Sequence, residues 1–183
     1  PYMMTYAAQY SKDVAGMVLV DATSPRAFTE LPDFSSTNAT LRRLFGLASS
    51  LSRLGLAQLL GAGAGAGLPA PAADQVDAFA TTPRSVRGQL EELSTLAGSL
   101  TQAGQLTELA GKPLAVVTAG EGQQAGWSAA QDRLATLSTN KVHRVVPATH
   151  LSLLLDETDS AHTVRAIADV ARSVRTRAAL PAS

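Results

Sequence analysis

The chain has 183 residues, a length that suits one domain of about 100–200 residues. Its 15 basic and 15 acidic residues cancel, so no strong field would attract nucleic acid or an anionic membrane surface. It has no cysteine, which excludes disulfides and thiolate chemistry and leaves the redox compartment open. His143, His150 and His162 do not pair at metal-ligand spacing, so neither a metal centre nor a cofactor is predicted.

The first ten residues, PYMMTYAAQY, predict a helix with proline in its first turn, where the missing N–H costs nothing. They lack the basic start and long apolar core of a signal peptide. A helix already in progress at the first residue indicates a polypeptide cut within a fold. We therefore expect these residues to belong to a longer protein.

Three short apolar runs predict strands buried on both faces, as in a parallel sheet. Residues 14–20 (VAGMVLV) end at Asp21, and residues 114–118 (LAVVT) end in a glycine-flanked turn that carries Glu121. The third run, rich in valine, stops at Pro147 and leads to His150. Each polar side chain therefore lies in a loop after a strand, where α/β proteins hold reactive groups. The alternative explanations at this point are a turn-forming residue for Asp21 and, for His150, a histidine bonded to a backbone carbonyl.

Residues 26–110 contain no strand-like run and show helical patterns instead. Leucines recur at three- and four-residue steps over residues 41–56. Arg53 interrupts the apolar stretch, so no membrane span is predicted. Residues 61–73 (GAGAGAGLPAPAA) predict a flexible hinge, Asp74 is a candidate helix cap, and Thr81 or Thr82 before Pro83 is expected to begin another helix.

A helix over residues 127–137 and a one-sided terminal helix complete the pattern. Strands that alternate with helices imply right-handed crossovers and a parallel sheet. The sequence therefore predicts an α/β fold interrupted by a helical insertion.

Several segments, in this order, resemble the carboxyl-terminal half of the α/β-hydrolase family: VLVDATSP, a helical insert, KPLAVVTAGE, and a strand followed by PATH and a terminal helix. PYMMTYAAQY resembles the helix after that family's nucleophile elbow. The resemblance covers nearly the whole chain. It implies a partial doubly wound parallel sheet built from residues 1–25 and 111–183, with residues 26–110 as a cap or lid over an apolar acyl substrate.

The family's chemistry is acyl transfer by a serine, a histidine base and an acid that orients the imidazole. The resemblance implies that His150 is the base. The usual Gly-Glu-x-Asp ending has Gln123 in place of the aspartate, and glutamine carries no negative charge. Some lipases use an acid in an Asp-x-x-x-Pro setting instead, which Asp21 and Pro25 match. Asp21 is therefore the expected acid and Glu121 the runner-up.

The chain contains no Gly-x-Ser-x-Gly, so the resemblance implies that the nucleophile and the oxyanion amides lie in a missing amino-terminal part of the same fold. Without that part we expect no triad catalysis and an unpaired edge on the strand at residues 14–20. Two alternatives stay open. The same fold could carry epoxide hydrolase, dehalogenase or peroxidase chemistry, or the chain could be a non-catalytic binding module.

Overall fold

The structure, a computed structural model, describes residues 1–53, 65 and 67–181. The chain divides into two compact units, of which the first comprises Pro1–Pro32 with Gly98–Ser183 and the second Asp33–Ala97. The domain limits at residues 25 and 110, made from the resemblance, stay a prediction. In chain order the elements are α1 (Tyr2–Gln9), a 3-10 turn (Ser11–Asp13), β1 (Met17–Val20), α2 (Ala27–Glu30), α3 (Phe34–Ser52), α4 (Ala70–Ala80), α5 (Pro83–Ala103), β2 (Leu114–Ala119), α6 (Trp127–Ala135), β3 (Lys141–Val146), α7 (Ser152–Leu155) and α8 (Glu157–Thr176).

The three strands form one open parallel sheet in the order β1-β2-β3. Met17 aligns with Leu114, and Leu114 aligns with Lys141. The prediction of a mixed α/β fold with a parallel sheet is thus confirmed. β1 begins later than the predicted residue 14, because Val14 still donates its N–H to Ser11 in the preceding 3-10 turn.

β2 is the central strand, and all of its residues are buried. Its alternate side chains enter two apolar clusters, as expected for a pleated strand with opposite faces. One cluster joins β2 to α1, β1 and α6, and contains Met4, Ala7, Met17, Leu19, Ala103, Leu106, Leu109, Leu114, Val116, Leu134 and Ala135. The other joins β2 to β3, α7 and α8, and contains Ala115, Val117, Ala119, Val142, Val146, Ala148, Leu153, Ala166, Val170 and Leu180. Helices therefore cover both faces of the sheet.

The second unit is helical. Thr82 accepts the N–H of Ser85 through its hydroxyl at 3.2 Å and so caps α5, as predicted. Asp74 lies inside α4 and does not cap it, because the helix already begins after Pro69. Residues 70–73, predicted to be flexible, are also helical; most of the remaining Gly/Ala-rich segment lies outside the described residues. In the described part of the chain, no helix is long and apolar enough to cross a bilayer.

Two adjacent leucines in α7 provide a matched test of this packing. Leu153 is 0% exposed and Leu154 is 57% exposed. Leu153→Ala should lower the free energy of unfolding by about 2–5 kcal/mol, because it leaves a cavity beneath the sheet. Leu154→Ala should change it by less than about 0.5 kcal/mol. Urea unfolding of both variants measures the difference, and equal losses would contradict the assigned orientation of α7.

Candidate functional site

Asp21 follows β1 directly and is buried, with 1% of its surface exposed. Its N–H donates to Val117 O at 2.6 Å, which extends the parallel ladder by one residue. Its φ of +42° is in the left-handed region, which aspartate adopts more readily than most residues. This conformation ends the strand. The Asp21 side chain bonds to Gln123 and Trp127, which follow β2, and to His150, which follows β3.

The carboxylate of Asp21 accepts hydrogen bonds from the last residue of β2 and from residues after that strand. Ala119 N–H reaches Oδ1 at 3.2 Å, and the indole Nε1–H of Trp127 reaches the same oxygen at 2.8 Å. The side-chain amide of Gln123 lies 3.3 Å from both Oδ1 and Oδ2. A buried charge is tolerated only when such donors replace water.

Helix α6 is fixed against this part of the sheet by polar contacts. Gly126 precedes it with a φ of +83° and with the Leu31 side chain too close for an added Cβ to fit easily. Trp127 and Gln131, four residues apart, share one face of the helix. Gln131 Nε2 donates to Ala22 O at 2.7 Å, while Trp127 donates to the Asp21 carboxylate. α6 thus holds both the acid and the segment after it.

The turn that carries His150 is held by reciprocal bonds. Thr149 N–H donates to Ser152 Oγ at 2.9 Å, and Ser152 N–H donates to Thr149 Oγ1 at 3.2 Å. Glu121 N–H donates to Ala148 O at 3.1 Å, which ties the loop after β2 to the loop after β3. The buried Leu153 anchors the far side of the turn. These contacts restrict the backbone on both sides of His150.

His150 and Asp21 meet across the ends of β1 and β3. His150 Nδ1 lies 2.7 Å from Asp21 Oδ2, while the side chains are 60% and 2% exposed, respectively. Because an ionised carboxylate only accepts, Nδ1 carries the proton. In the neutral imidazole Nε2 is then the lone-pair acceptor, and none of the described residues hydrogen-bonds to it. The arrangement leaves Nε2 as a proton acceptor on a largely exposed side chain.

The pKa of Asp21 and the pKa of His150 shift in opposite directions. Burial raises the pKa of Asp21, but hydrogen bonds from His150, Trp127, Gln123 and Ala119 outweigh it and leave that pKa below its ordinary value. The hydrogen bond to Asp21 raises the pKa of His150, burial lowers it, and the negative charge raises it again, so that the net change is upward. Asp21 is therefore an anion over the whole range in which His150 titrates.

The other candidate residues make no side-chain bond to this pair in the described part of the chain. Glu121 is exposed, and no hydrogen bond or ion pair in the described part of the chain joins its side chain to His150. His162 lies in the second turn of α8. Within residues 1–53, 65 and 67–181, no cluster of three or more His, Cys, Asp or Glu could hold a metal ion.

His143, like His150, has a carboxylate beside its Nδ1, and it also has a hydroxyl beside its Nε2. Its Nδ1 lies 2.9 Å from Asp132 Oδ1, and its Nε2 lies 2.8 Å from Thr118 Oγ1. Thr118 is buried in the central strand, where no substrate can reach its hydroxyl. We assign this set a structural role.

Sequence reasoning identified Asp21 and His150 but not the donors that hold them. In the sequence, Trp127 indicates only the start of a helix, and Gln123 only a departure from the pattern of the resembled family. One signal was available: Trp127 and Gln131 are polar groups on the same helix face as the apolar Ala130 and Leu134. Polar groups on a buried face need partners.

No protein-family model matches the chain, and neither a curated protein nor a solved structure shows significant similarity to it.

The contact between Asp21 and His150 can be tested by titrating His150 by NMR. Its midpoint should lie above the ordinary histidine value of about 6.5. In Asp21→Asn the negative charge is lost and burial remains, while an amide N–H that donates to Nδ1 favours the neutral ring, so the midpoint should fall below that value. Because asparagine also tolerates positive φ, the substitution should preserve the backbone conformation at residue 21. Asp132→Asn, which alters the partner of His143, is the control and should leave the His150 midpoint unchanged; an unchanged midpoint in Asp21→Asn would refute the pairing.

Proposed function

We propose that the chain is the base-and-acid part of an α/β-hydrolase that cleaves esters or related apolar acyl compounds. The single observation that carries the proposal is the bond between His150 Nδ1 and the buried Asp21 carboxylate at 2.7 Å, in a histidine whose side chain is 60% exposed. A parallel sheet covered on both faces, with both residues at the carboxyl ends of its strands, supports the fold assignment.

In this mechanism His150 Nε2 removes the proton from a serine hydroxyl as that oxygen attacks the acyl carbonyl. The serine is contributed by a part of the protein other than these 183 residues. Asp21 stays ionised and stabilises the imidazolium through Nδ1–H. The imidazolium then protonates the leaving alcohol, and the same nitrogen activates the water that hydrolyses the acyl-enzyme.

The surface beside the base supports an apolar substrate. Leu151 and Leu154, which follow His150 in the same turn and in α7, are 62% and 57% exposed. Exposed leucines next to a reactive imidazole would favour an acyl chain over a charged group. Residues 26–110 remain the proposed cap of the enzyme.

The proposal predicts a ranking of variants in the protein that carries the nucleophile. His150→Ala should abolish cleavage of a short-chain aryl ester, and Asp21→Asn should reduce kcat by about 10³–10⁴-fold, because its amide would force the wrong imidazole tautomer. Glu121→Gln, the matched control on the runner-up acid, should change kcat by less than about threefold. Initial rates over a range of substrate concentrations measure all three, and unchanged turnover in His150→Ala would exclude the mechanism.

The second candidate is a hydrolase-like binding module, and Gln123 in place of the family's usual aspartate favours it. A fluorophosphonate probe separates the two, since it labels only an activated serine. Labelling that His150→Ala removes would support the hydrolase. A protein that neither reacts with the probe nor cleaves esters would support the binding module, or the related chemistry in which an aspartate occupies the elbow.

A further inference from the structure

We propose that Gln123 is a positioning residue that holds the Asp21 carboxylate in the orientation required by His150. This inference rests on the proposed function, since it assigns Gln123 a part in the same reaction. Among the described residues, Gln123 is the donor that reaches both carboxylate oxygens, with Nε2 at 3.3 Å from each.

The carboxylate needs such a contact because its final torsion is soft. Rotation about the Cβ–Cγ bond of aspartate is broad and roughly two-fold. Ala119 and Trp127 donate to Oδ1 alone, and His150 bonds to Oδ2 alone. A donor equidistant from the two oxygens opposes rotation in either direction, so it keeps Oδ2 directed at the imidazole.

An amide also suits this position electrostatically. Gln123 is neutral, so it supplies an N–H to Asp21 without adding a charge beside it. A carboxylate at residue 123 would place a second negative charge against Asp21, where two carboxylates cannot both ionise freely. It would also compete with Asp21 for His150. The glutamine therefore complements an acid located after β1.

A positioning role separates turnover from binding. Gln123 contacts Asp21 and not the reacting atoms, so its loss should lower kcat and leave KM unchanged. Hydrogen bonds to charged groups are among the stronger ones in proteins. We expect Gln123→Met, which keeps a similar length and removes both donors, to reduce kcat by about tenfold.

Gln124→Met is the matched control, because the adjacent glutamine makes no side-chain hydrogen bond in the described part of the chain. It should keep kcat within about twofold. The second readout is the low-field proton resonance of His150 Nδ1–H in the intact protein, identified by its disappearance in His150→Gln. Gln123→Met should shift this resonance upfield or broaden it, whereas Gln124→Met should leave it unchanged.

Gln123→Glu covers the case in which the methionine variant does not fold. It preserves the shape of the side chain and replaces the donor by a charged acceptor, so a residue 123 that does not contact the Asp21 carboxylate predicts wild-type kcat and an unchanged resonance. The positioning role predicts loss of kcat and a displaced resonance. Because the resonance requires no turnover, a wild-type protein that cleaves no ester refutes the proposed function alone. The inference about Gln123 is overturned if the enzyme is active and Gln123→Glu leaves both kcat and the resonance unchanged. Where Gln123→Met folds, it must leave both unchanged as well.

Discussion

The buried carboxylate of Asp21 is the constraint on which the rest of the site depends. Removing an ionised group from water is costly unless donors replace its hydration. Asp21 accepts from four residues: Ala119 is the last residue of β2, Gln123 and Trp127 follow β2, and His150 follows β3. One charge therefore joins four parts of the fold: the end of β1, the loop after β2, helix α6 and the turn of His150. A change in any of them alters the environment of the imidazole.

The broad arrangement of this site could be predicted from the sequence. Unbroken apolar runs identify strands that are buried on both faces, and parallel strands bring the loops at their carboxyl ends to one edge of the sheet. That reasoning places Asp21, Glu121 and His150 near each other without a structure. The choice of Asp21 over Glu121 came only from the resemblance to some lipases, because the ends of strands alone give no side-chain direction. Asp21 has a positive φ, and its donors lie about a hundred positions away along the chain. Neither feature can be predicted from the residues next to Asp21.

The set formed by Thr118, His143 and Asp132 shows why connectivity alone does not identify a catalytic site. A hydroxyl, an imidazole and a carboxylate are joined in the order that nucleophilic catalysis requires. Here the hydroxyl is buried and the carboxylate is exposed, the reverse of what the chemistry needs. A useful acid must be shielded from water for its charge to act strongly on the imidazole. The two histidines differ in the burial of their carboxylate partners, and residue spacing in the sequence does not predict burial.

In the proposed reaction, the unequal exposure of Asp21 and His150 also sets the direction from which the serine and the substrate approach. The two nitrogens of an imidazole point nearly opposite ways, so a ring whose Nδ1 is held on a buried carboxylate presents Nε2 to the open side. The reciprocal bonds between Thr149 and Ser152 restrain the turn on either side of the ring. In the neutral ring Nε2 is therefore unprotonated, and its direction is restrained before any substrate binds. Such preorganisation is what lets a weak base act within a rigid site.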